Sequence, residues 1–297
     1  MLIPKFVYIV IATAGDHFAE MAAVSMQTLR LTNPSAHIVL LTNQATAESN
    51  QAAMQLVRGL CNDIIVEKNE YEDLVAQSRY LKLRMRDLVE GDFVYLDSDT
   101  LILGTLDALW EINADFAACL DEPTYGAEFV QSRSMLFNAL NWTLNPQKYI
   151  NFGVALMRDT LKMREFCQQL FVLWQEQVRK TGKYNDQFVL NHLLCNSDID
   201  FKALKSTFNA QITANPMRAI KAKIMHVFTG AFDDRNDTVL HVLAKRLKQE
   251  GRLDMALLNH FLEHRDPWVA LDTVRKLTAT KHYVQAAALY LKKTVMQ

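Results

Sequence analysis

Short apolar segments alternate with longer amphipathic segments through the first hundred residues. The short segments are rich in β-branched side chains, as buried strands are, and the longer ones repeat apolar residues at helical spacing. The predicted strands are 7–12, 38–41, 63–66 and 93–96, and the predicted helices are a segment from about Phe18 to just before Asn33, 46–59 and 74–88. This βαβαβαβ order predicts an α/β fold in which a largely parallel sheet carries helices on both faces.

The regular alternation stops after this unit. Residues 121–148 lack strong periodicity and are rich in Gln, Asn, Ser and aromatic side chains. They are interpreted as an inserted, partly helical flap, and long insertions of this kind are often functional. The elements predicted beyond the flap are strand 151–157 and helices 161–178 and 186–194.

The C-terminal part of the chain differs in composition. From about Thr238, helical segments rich in Leu, Ala, Lys and Arg continue to the last residue, with a break near Gly251. Residues 241–297 hold ten Lys or Arg against five Asp or Glu, a local net charge of 10 − 5 = +5. This basic segment either contacts a membrane surface or a partner, or is a solvated helical face. The pattern predicts a main domain over 1–237 and a helical C-terminal extension over 238–297.

Composition excludes several classes of protein. Half of the 297 residues are apolar and the formal net charge is −1, so no basic field favours a nucleic-acid partner. The four cysteines contain no Cys-x-x-Cys pair, which favours reduced thiols over a zinc site or disulfides. No segment has the roughly 18 uncharged apolar residues of a membrane span. We therefore expect a soluble, cytoplasmic protein, peripheral at a membrane surface if the basic segment binds lipid.

Candidate chemistry is concentrated at the end of the fourth predicted strand. Asp97 and Asp99 flank Ser98 there, and residues two apart in a strand share a face, so both carboxylates can converge on one site. Magnesium and manganese prefer such oxygen ligands, usually together with substrate phosphates. The alternative is that both aspartates only close a turn. Neither glycine-rich phosphate-binding pattern occurs in the chain, which counts against a dehydrogenase or a P-loop kinase.

Five separated pieces, between residues 5 and 232, resemble the GT-A glycosyltransferases of the glycogenin and lipopolysaccharide galactosyltransferase group, family 8. The pieces are the helix with Ser78, Arg79 and Tyr80 that leads into the strand at 94–100, the strand 149–154 with Asn151 and Gly153, the helix start 185–191 with Asp186 and Gln187, the pair Phe208 and Asn209, and His226 within 224–228. The resemblance implies a Rossmann-like mixed sheet flanked by helices. It also implies transfer of a hexose from a nucleotide diphosphate sugar, UDP-glucose or UDP-galactose, to an acceptor hydroxyl.

The resemblance further implies a Mn²⁺ or Mg²⁺ site in which Asp97, Asp99 and His226 are the ligands. The cation would stabilise the leaving diphosphate as a Lewis acid and template. Taken alone, His226 is better explained as a core histidine at the end of an apolar strand, and only its pairing with Asp97 and Asp99 favours a ligand. Ser98, between the two aspartates, is included among the donor-binding residues.

Other residues receive roles in donor binding from the same resemblance. Arg79 is expected beside the diphosphate or the donor sugar, where a guanidinium suits oxyanion contacts, with Lys82 as a second candidate. Asp186 and Gln187 are expected to hold sugar hydroxyls and to lie beside the anomeric carbon, and Asn151 to bond the sugar. The alternatives are a helix-surface arginine, a helix cap for Asp186 and a buried strand-end amide.

The loop after the first strand is the expected base site. Ala12 and Thr13 are placed where the family holds uracil, and His17 or Phe18 would cover the ring. The chain departs from the family after His226, because the Gly-x-x-Lys-Pro-Trp segment is replaced by one without lysine, and Arg235 is the only substitute offered. Because of this departure, a second alternative is a scaffold protein that binds a sugar nucleotide but catalyses transfer weakly or not at all. A nucleotidyltransferase is a third alternative, although the basic glycine-rich signature expected near the first strand is missing.

The stereochemistry and the acceptor are predicted only from the family. The resemblance implies retention of the anomeric configuration. No carboxylate nucleophile is evident in the sequence near Gln187, which favours a front-face route over double displacement. The acceptor is a glycan, a glycolipid or a protein, recognised by the flap at 121–148, and the basic segment 241–297 suggests a membrane glycolipid.

Overall fold

A computed structural model describes residues 3–121, 140–142, 144–145, 148–212, 216–227 and 238–268, and the single positions 284, 287, 288 and 291. The strands are β1 Lys5–Val10, β2 His37–Thr42, β3 Asp63–Val66, β4 Phe93–Leu96, β5 Thr100–Ile102, β6 Phe116–Leu120, β7 Ile150–Met157, β8 Phe201–Leu204, β9 Ala210–Gln211 and β10 Ile224–His226. The helices are α1 Phe18–Thr32, α2 Gln44–Ala47, α3 Ala52–Leu60, α4 Leu74–Leu88, α5 Asp107–Trp110, α6 Leu161–Thr181, α7 Asp186–Cys195, α8 Val239–Glu250 and α9 Met255–His264, with 3₁₀ turns at Ser206–Phe208 and Pro216–Lys221.

The main sheet has the order β3-β2-β1-β4-β7-β6-β8 within the described residues. Strands β1 to β4 pair in parallel, and so do β6 and β8. Strand β7 runs antiparallel to both of its neighbours, β4 and β6. The predicted α/β class, a mixed and mostly parallel sheet flanked by helices, is therefore confirmed.

Successive residues of β1 enter opposite layers of the core. Phe6 and Tyr8 pack in a cluster with α1 and α3, whereas Val7 and Ile9 pack in a second cluster with α4, α6 and α7. This alternation is the two-residue period of a strand buried on both faces. It explains why β1 is continuously apolar, and why helices are needed on both sides of the sheet.

Strands β1 and β4 are neighbours, with Phe6 opposite Val94 and Val7 opposite Tyr95. The loops that follow them therefore leave the sheet at the same carboxyl edge, where open α/β sheets bind ligands. The loop with Thr13 and the turn with Asp97 lie at this edge, as the sequence predicts.

A second, three-stranded sheet was not predicted. Strand β10 pairs antiparallel with β5 and parallel with β9, and His226 lies opposite Thr100. Because Thr100 follows Asp99 directly, this pairing carries His226 across more than a hundred residues of sequence to the Asp97–Asp99 turn. The small sheet thus assembles the candidate metal site.

One predicted helix is wrong, and two strands of the main sheet were not predicted. The single helix expected over 46–59 is wrong, because α2 and α3 are separate. Asn43 caps α2 by accepting from the Thr46 N–H at 2.8 Å, and Arg58 bonds the carbonyls of Ala47 and Ser49 at 2.9 Å in the break. Strands β6 and β8 were not predicted either, although both belong to the main sheet.

Helices α8 and α9 pack against the main fold rather than extending from it. Leu240, Leu243 and Phe261 are buried in a cluster with Met21 and Val24 of α1. The division at residue 238 stays a prediction, as does the behaviour of the segment beyond 268, most of which lies outside the described residues. No helix in the described part of the chain combines the length and apolar character that crossing a bilayer requires.

Candidate active site

Asp97, Ser98 and Asp99 form the turn that connects β4 to β5. The Asp97 N–H donates to the Gly153 carbonyl at 2.8 Å, and the Thr100 hydroxyl donates to the Asp97 carbonyl at 2.7 Å. The Val227 N–H donates to the Asp99 carbonyl at 2.9 Å. Both backbone ends of the turn are therefore held by neighbouring strands, and the two carboxylates project from a rigid support.

His226 completes a three-residue cluster with these carboxylates. Its Nε2 lies 3.1 Å from Asp99 Oδ1 and 4.0 Å from Asp97 Oδ2. The ligand atoms of the three residues all lie within 4.8 Å of one another, the single such group of three or more found among the described residues. The sequence-predicted ligands are thus brought together.

The orientation of the His226 ring is set by two amide side chains. His226 Nδ1 lies 2.9 Å from Asn209 Oδ1, and Asn209 Nδ2 donates to Asn151 Oδ1 at 2.9 Å. Because the Asn209 amide NH₂ is directed at Asn151, its oxygen must accept, so His226 Nδ1 carries a proton and donates. This arrangement turns Nε2 toward Asp99, as a second-shell partner does for a ligating histidine.

Gly153 makes room for the ring. A Cβ at this position would lie 2.7 Å from His226 Nδ1, closer still to Cε1, and 2.9 Å from Asn151 Oδ1. Such distances are far inside van der Waals contact. The resemblance singles out Gly153 as part of a strand pattern, and the structure shows what a side chain there would displace.

These residues fit a divalent cation. With the proton on Nδ1, neutral His226 presents the Nε2 lone pair to Asp99 Oδ1, a buried oxygen without a hydrogen-bond donor. Two electron-pair donors facing each other repel unless a proton or a metal ion lies between them. Burial lowers the pKa of His226, but Asp99 and Asp97 outweigh it and raise the pKa above its usual value. One nitrogen and carboxylate oxygens suit Mn²⁺ or Mg²⁺.

An ion-pair chain connects this cluster to the start of α7. Lys82 Nζ lies 3.1 Å from Asp97 Oδ1 and 3.3 Å from Asp186 Oδ2, and Arg79 Nε lies 3.0 Å from Asp186 Oδ1. Burial raises the pKa of Asp97 and Asp186, but the neighbouring cations outweigh it and lower both. Arg79 therefore pairs with Asp186, and Lys82, only the second candidate in the sequence, is the cation on Asp97.

The first turn of α7 places two predicted residues in the site. Asn185 caps the helix by accepting from the Gln187 and Phe188 N–H groups at 3.0 and 3.3 Å. Since Asn185 is the cap, Asp186 is available for the ion pairs. Gln187 Nε2 donates to Asp121 Oδ2 at 2.9 Å.

Asp121 is a site residue that the sequence reasoning treated only as the start of the flap. Burial raises its pKa, although hydrogen bonds from Gln187, Asn151 and Gln211 oppose the rise. Asp121 thus brings to Gln187 a carboxylate that the sequence did not indicate. The available signal was its position directly after a short apolar segment, the one that forms β6.

A cleft of about 220 Å³ opens beside the Asp97–Asp99 turn. Its lining residues are Ile9, Ile11, Asp16, Phe18, Leu74, Val75, Ser78, Arg79, Tyr95, Asp97, Ser98 and Asp99. Its lining combines apolar side chains with one cation, Arg79, and three carboxylates, Asp16, Asp97 and Asp99. A bound cation at Asp97 and Asp99 would offset these carboxylates for an anionic ligand.

The predicted base residues are placed around this cleft in different ways. Phe18 lines it, whereas Ala12, Thr13 and His17 are not among its lining residues. The Ala12 N–H donates to Thr46 Oγ1 at 3.1 Å. Thr13 is held by Asp16, whose Oδ2 accepts from the Thr13 N–H at 2.8 Å and from its hydroxyl at 2.7 Å. Arg235 and most of the flap at 121–148 lie outside the described residues.

This chain is an α/β protein with a candidate Asp-x-Asp metal site. Two carboxylates lie at the carboxyl edge of its mostly parallel sheet, and a second sheet adds a histidine. A family description, Glycosyl transferase family 8, matches residues 9–269. Because the match covers most of the chain, this chain belongs to glycosyltransferase family 8.

Individual relatives are distant. A putative glycosyltransferase of Haemophilus influenzae is 25% identical over 142 residues, which is 46% of this chain and 40% of the relative. Among solved structures, the WbbM bifunctional glycosyltransferase superposes with a TM-score of 0.57 at 16% identity, over 88% of this chain and 50% of that one. GlyE of Streptococcus pneumoniae TIGR4 gives 0.52 at 17%, over 91% and 66%.

The galactosyltransferase LgtC, solved with donor and acceptor sugar analogues, gives a TM-score of 0.51 at 15% identity, over 86% of this chain and 95% of that one. These structures share the fold of this chain, which confirms the predicted GT-A architecture. The matched region spans less than half of the curated relative and half of the WbbM chain.

Proposed function

We propose that this protein is a metal-dependent glycosyltransferase that moves a hexose from a nucleotide diphosphate sugar to an acceptor hydroxyl. The observation that carries the proposal is the convergence of Asp97, Asp99 and His226 within 4.8 Å beside a cleft that is also lined by apolar side chains. A bound divalent cation would supply Lewis-acid stabilisation of the leaving diphosphate. Family membership favours this reaction over nucleotidyl transfer.

The donor is proposed to lie along the cleft. The base would contact the apolar lining residues Phe18, Leu74 and Val75, which expose 42%, 41% and 54% of their surface. The diphosphate would lie at Asp97 and Asp99, with Ser98 between them as a hydrogen-bonding group. UDP-glucose and UDP-galactose are the donors that we propose to test first.

The hexose is proposed to lie between the metal cluster and the start of α7. Asp186 and Gln187 would bond its hydroxyl groups, Asn151 would orient it, and Arg79 would hold Asp186 in place. We propose retention of the anomeric configuration. The front-face route stays the preferred one, and Asp121, which accepts from Gln187, is the carboxylate to test for double displacement. Product stereochemistry by NMR tests retention, and an inverted linkage would exclude it.

The first test is a donor panel. Purified protein is incubated with Mn²⁺ and each of several UDP-sugars, and release of UDP is followed with and without candidate acceptors. The Asp97→Asn and Asp99→Asn variants should lose more than about 100-fold in rate, because losing a ligand should cost more than losing an outer-shell partner. Asp198→Asn is the matched control, since Asp198 is 91% exposed and pairs only with Lys162 in the described structure.

The result separates the proposal from a binding scaffold. UDP-sugar binding without turnover, unaffected by Asp97→Asn, would support the scaffold instead. The acceptor, whether glycan, glycolipid or protein, and a peripheral membrane location through 241–297 stay predictions. Deleting 241–297 would also remove the buried Leu243 and Phe261, so charge reversal of the lysines in this segment is the better test of liposome binding.

A further inference from the structure

Lys82 is the one cation in the described structure that contacts a predicted metal ligand and a predicted sugar-binding carboxylate at once. We propose that Lys82 is a positioning residue that acts as an internal counter-cation. It holds Asp97 and Asp186 in place before ligands bind, and it opposes the divalent cation at Asp97. The inference rests on the proposed function, because the cation concerned is the one that Asp97, Asp99 and His226 would hold.

The surroundings of Lys82 leave little space for another role. Its side chain is 4% exposed, and Nζ lies 4.8 Å from the ring centres of Tyr95 and Phe152. A buried ammonium without carboxylate partners would be costly, and aromatic faces alone compensate only partly. Asp97 and Asp186 supply the carboxylate partners that the buried ammonium needs, and Lys82 is held between them.

Lys82 determines which oxygen of Asp97 is available. Asp97 Oδ1 accepts from Lys82 Nζ at 3.1 Å and also from the Tyr95 hydroxyl, whereas Oδ2 faces His226 Nε2. With Oδ1 occupied twice, Asp97 offers a single oxygen to a cation. The carboxylate cannot rotate to offer both oxygens without breaking two hydrogen bonds.

Lys82 also joins the two halves of the site. Asp186 Oδ1 pairs with Arg79 and Oδ2 with Lys82, so both oxygens are held. Through Lys82 the position of Asp186 depends on Asp97. A substitution at Lys82 should therefore alter the metal site, whereas a substitution at Arg79 should alter mainly the sugar side.

The sign of the effect distinguishes this proposal from a purely structural role. A positive charge that touches Asp97 repels a divalent cation bound at the other oxygen, and removing that charge should tighten binding by about tenfold. If Lys82 were only a structural support, its loss would loosen Asp97 and weaken binding. The two accounts predict opposite changes.

The test is calorimetric titration of MnCl₂ into wild type, Lys82→Met and Lys82→Gln, with folding checked by circular dichroism. Both neutral variants should bind Mn²⁺ about tenfold more tightly. Arg84→Met is the matched control on the same helix and should stay within about threefold of wild type, because Arg84 pairs with Glu67 and Asp87 outside the site. Lys82→Arg keeps the charge and should also remain close to wild type.

Equal or weaker Mn²⁺ binding in whichever neutral variant folds would overturn the proposal. If neither neutral variant folds, Lys82→Arg is the deciding variant. It retains the positive charge, so a Mn²⁺ affinity about tenfold above that of wild type would contradict the proposal. The proposed function fails separately: wild type would then bind no Mn²⁺ at all, and the variants need not be compared.

Discussion

Helix α4 contributes two buried cations, Lys82 and Arg86, which lie one turn apart and enter charged networks at opposite ends of β4. Lys82 meets Asp97, which directly follows the last residue of β4. Arg86 lies over the ring of Phe93, the first residue of β4, and is 3.6 Å from Asp159. The same helix face thus supports two polar clusters whose chemistry can be compared directly.

At the amino end of β4, the arginine side chains donate mainly to backbone carbonyls, although Nε and Nη1 of the buried Arg86 have no hydrogen-bond partner among the described residues. Arg86 donates to the carbonyls of Val89 and Gly91, and Arg158 donates to those of Trp110 and Ile112 at 2.8 and 2.6 Å. These contacts hold backbone turns in place, and those of Arg158 reach turns that are distant in sequence. The network connects turns of the backbone and leaves no group of ligand atoms directed at a common point.

At the carboxyl end, side chains face one another instead. Asp99 and His226 present electron pairs to the same small volume, and Asp97 turns one oxygen toward it. Such an arrangement is unfavourable unless a proton or a metal ion lies between the two groups, and proteins keep unfavourable arrangements mainly at functional sites. The difference teaches that burial of charge alone does not identify a site, whereas convergence of like ligand atoms does.

The largest expected effect is that of Gly153→Ala. Its Cβ would lie 2.7 Å from His226 Nδ1, so the ring must move and Nε2 loses its direction. We expect Mn²⁺ affinity to fall by about 100-fold, as for loss of an orienting partner. Calorimetric titration measures it. Gly59→Ala is the control, because a Cβ there meets nothing within 4 Å. Wild-type Mn²⁺ affinity in Gly153→Ala would show that the convergence does not depend on this glycine.

A smaller effect is expected for Arg86→Met at the other end. It removes donors from the carbonyls of Val89 and Gly91 and leaves Asp159 without one partner, so the free energy of unfolding should fall by about 2 kcal/mol. Urea denaturation measures it. Arg84→Met on the same helix, where the side chain is 28% exposed, should cost less than about 1 kcal/mol. Mn²⁺ affinity should not change, and a change would break the comparison between the two ends.

Local sequence signals were sufficient for much of the fold and for half of the site. The bounds predicted for 63–66, 74–88 and 93–96 match β3, α4 and β4, because apolar periodicity is set within each segment. Asp97 and Asp99 follow from strand geometry together with the rule that ligands bind at the carboxyl edge. His226 required the family resemblance, since nothing near it in sequence indicates a ligand.

The remaining features depend on contacts between distant residues. The pairing of β5 with β10 joins two three-residue strands, too short to give a periodic signal. Arg79 and Lys82 both lie on α4, and only the packing of α4 against β4 decides which one touches Asp97. Asp121 enters the site because β6 pairs beside β7, and β6 itself was not predicted. Tertiary pairing, not propensity, determined each of these outcomes.

The smallest expected effect concerns Asp159 and acid. Burial raises the pKa of Asp159, but the Gly91 N–H, Arg86 and Arg164 outweigh it and lower the pKa below its usual value. A lowered folded-state pKa means that the charge stabilises the fold above the unfolded-state pKa, and that this contribution disappears as pH falls through the folded-state value. Asp159→Asn, which keeps an acceptor for Gly91, should therefore cost about 1 kcal/mol at pH 7. The difference from wild type should shrink toward zero as the pH falls below the usual aspartate pKa, as measured by urea denaturation. If the difference in the free energy of unfolding did not depend on pH, the network at the amino end of β4 would act through shape rather than charge. The two ends of β4 would then differ only in the direction of their side chains.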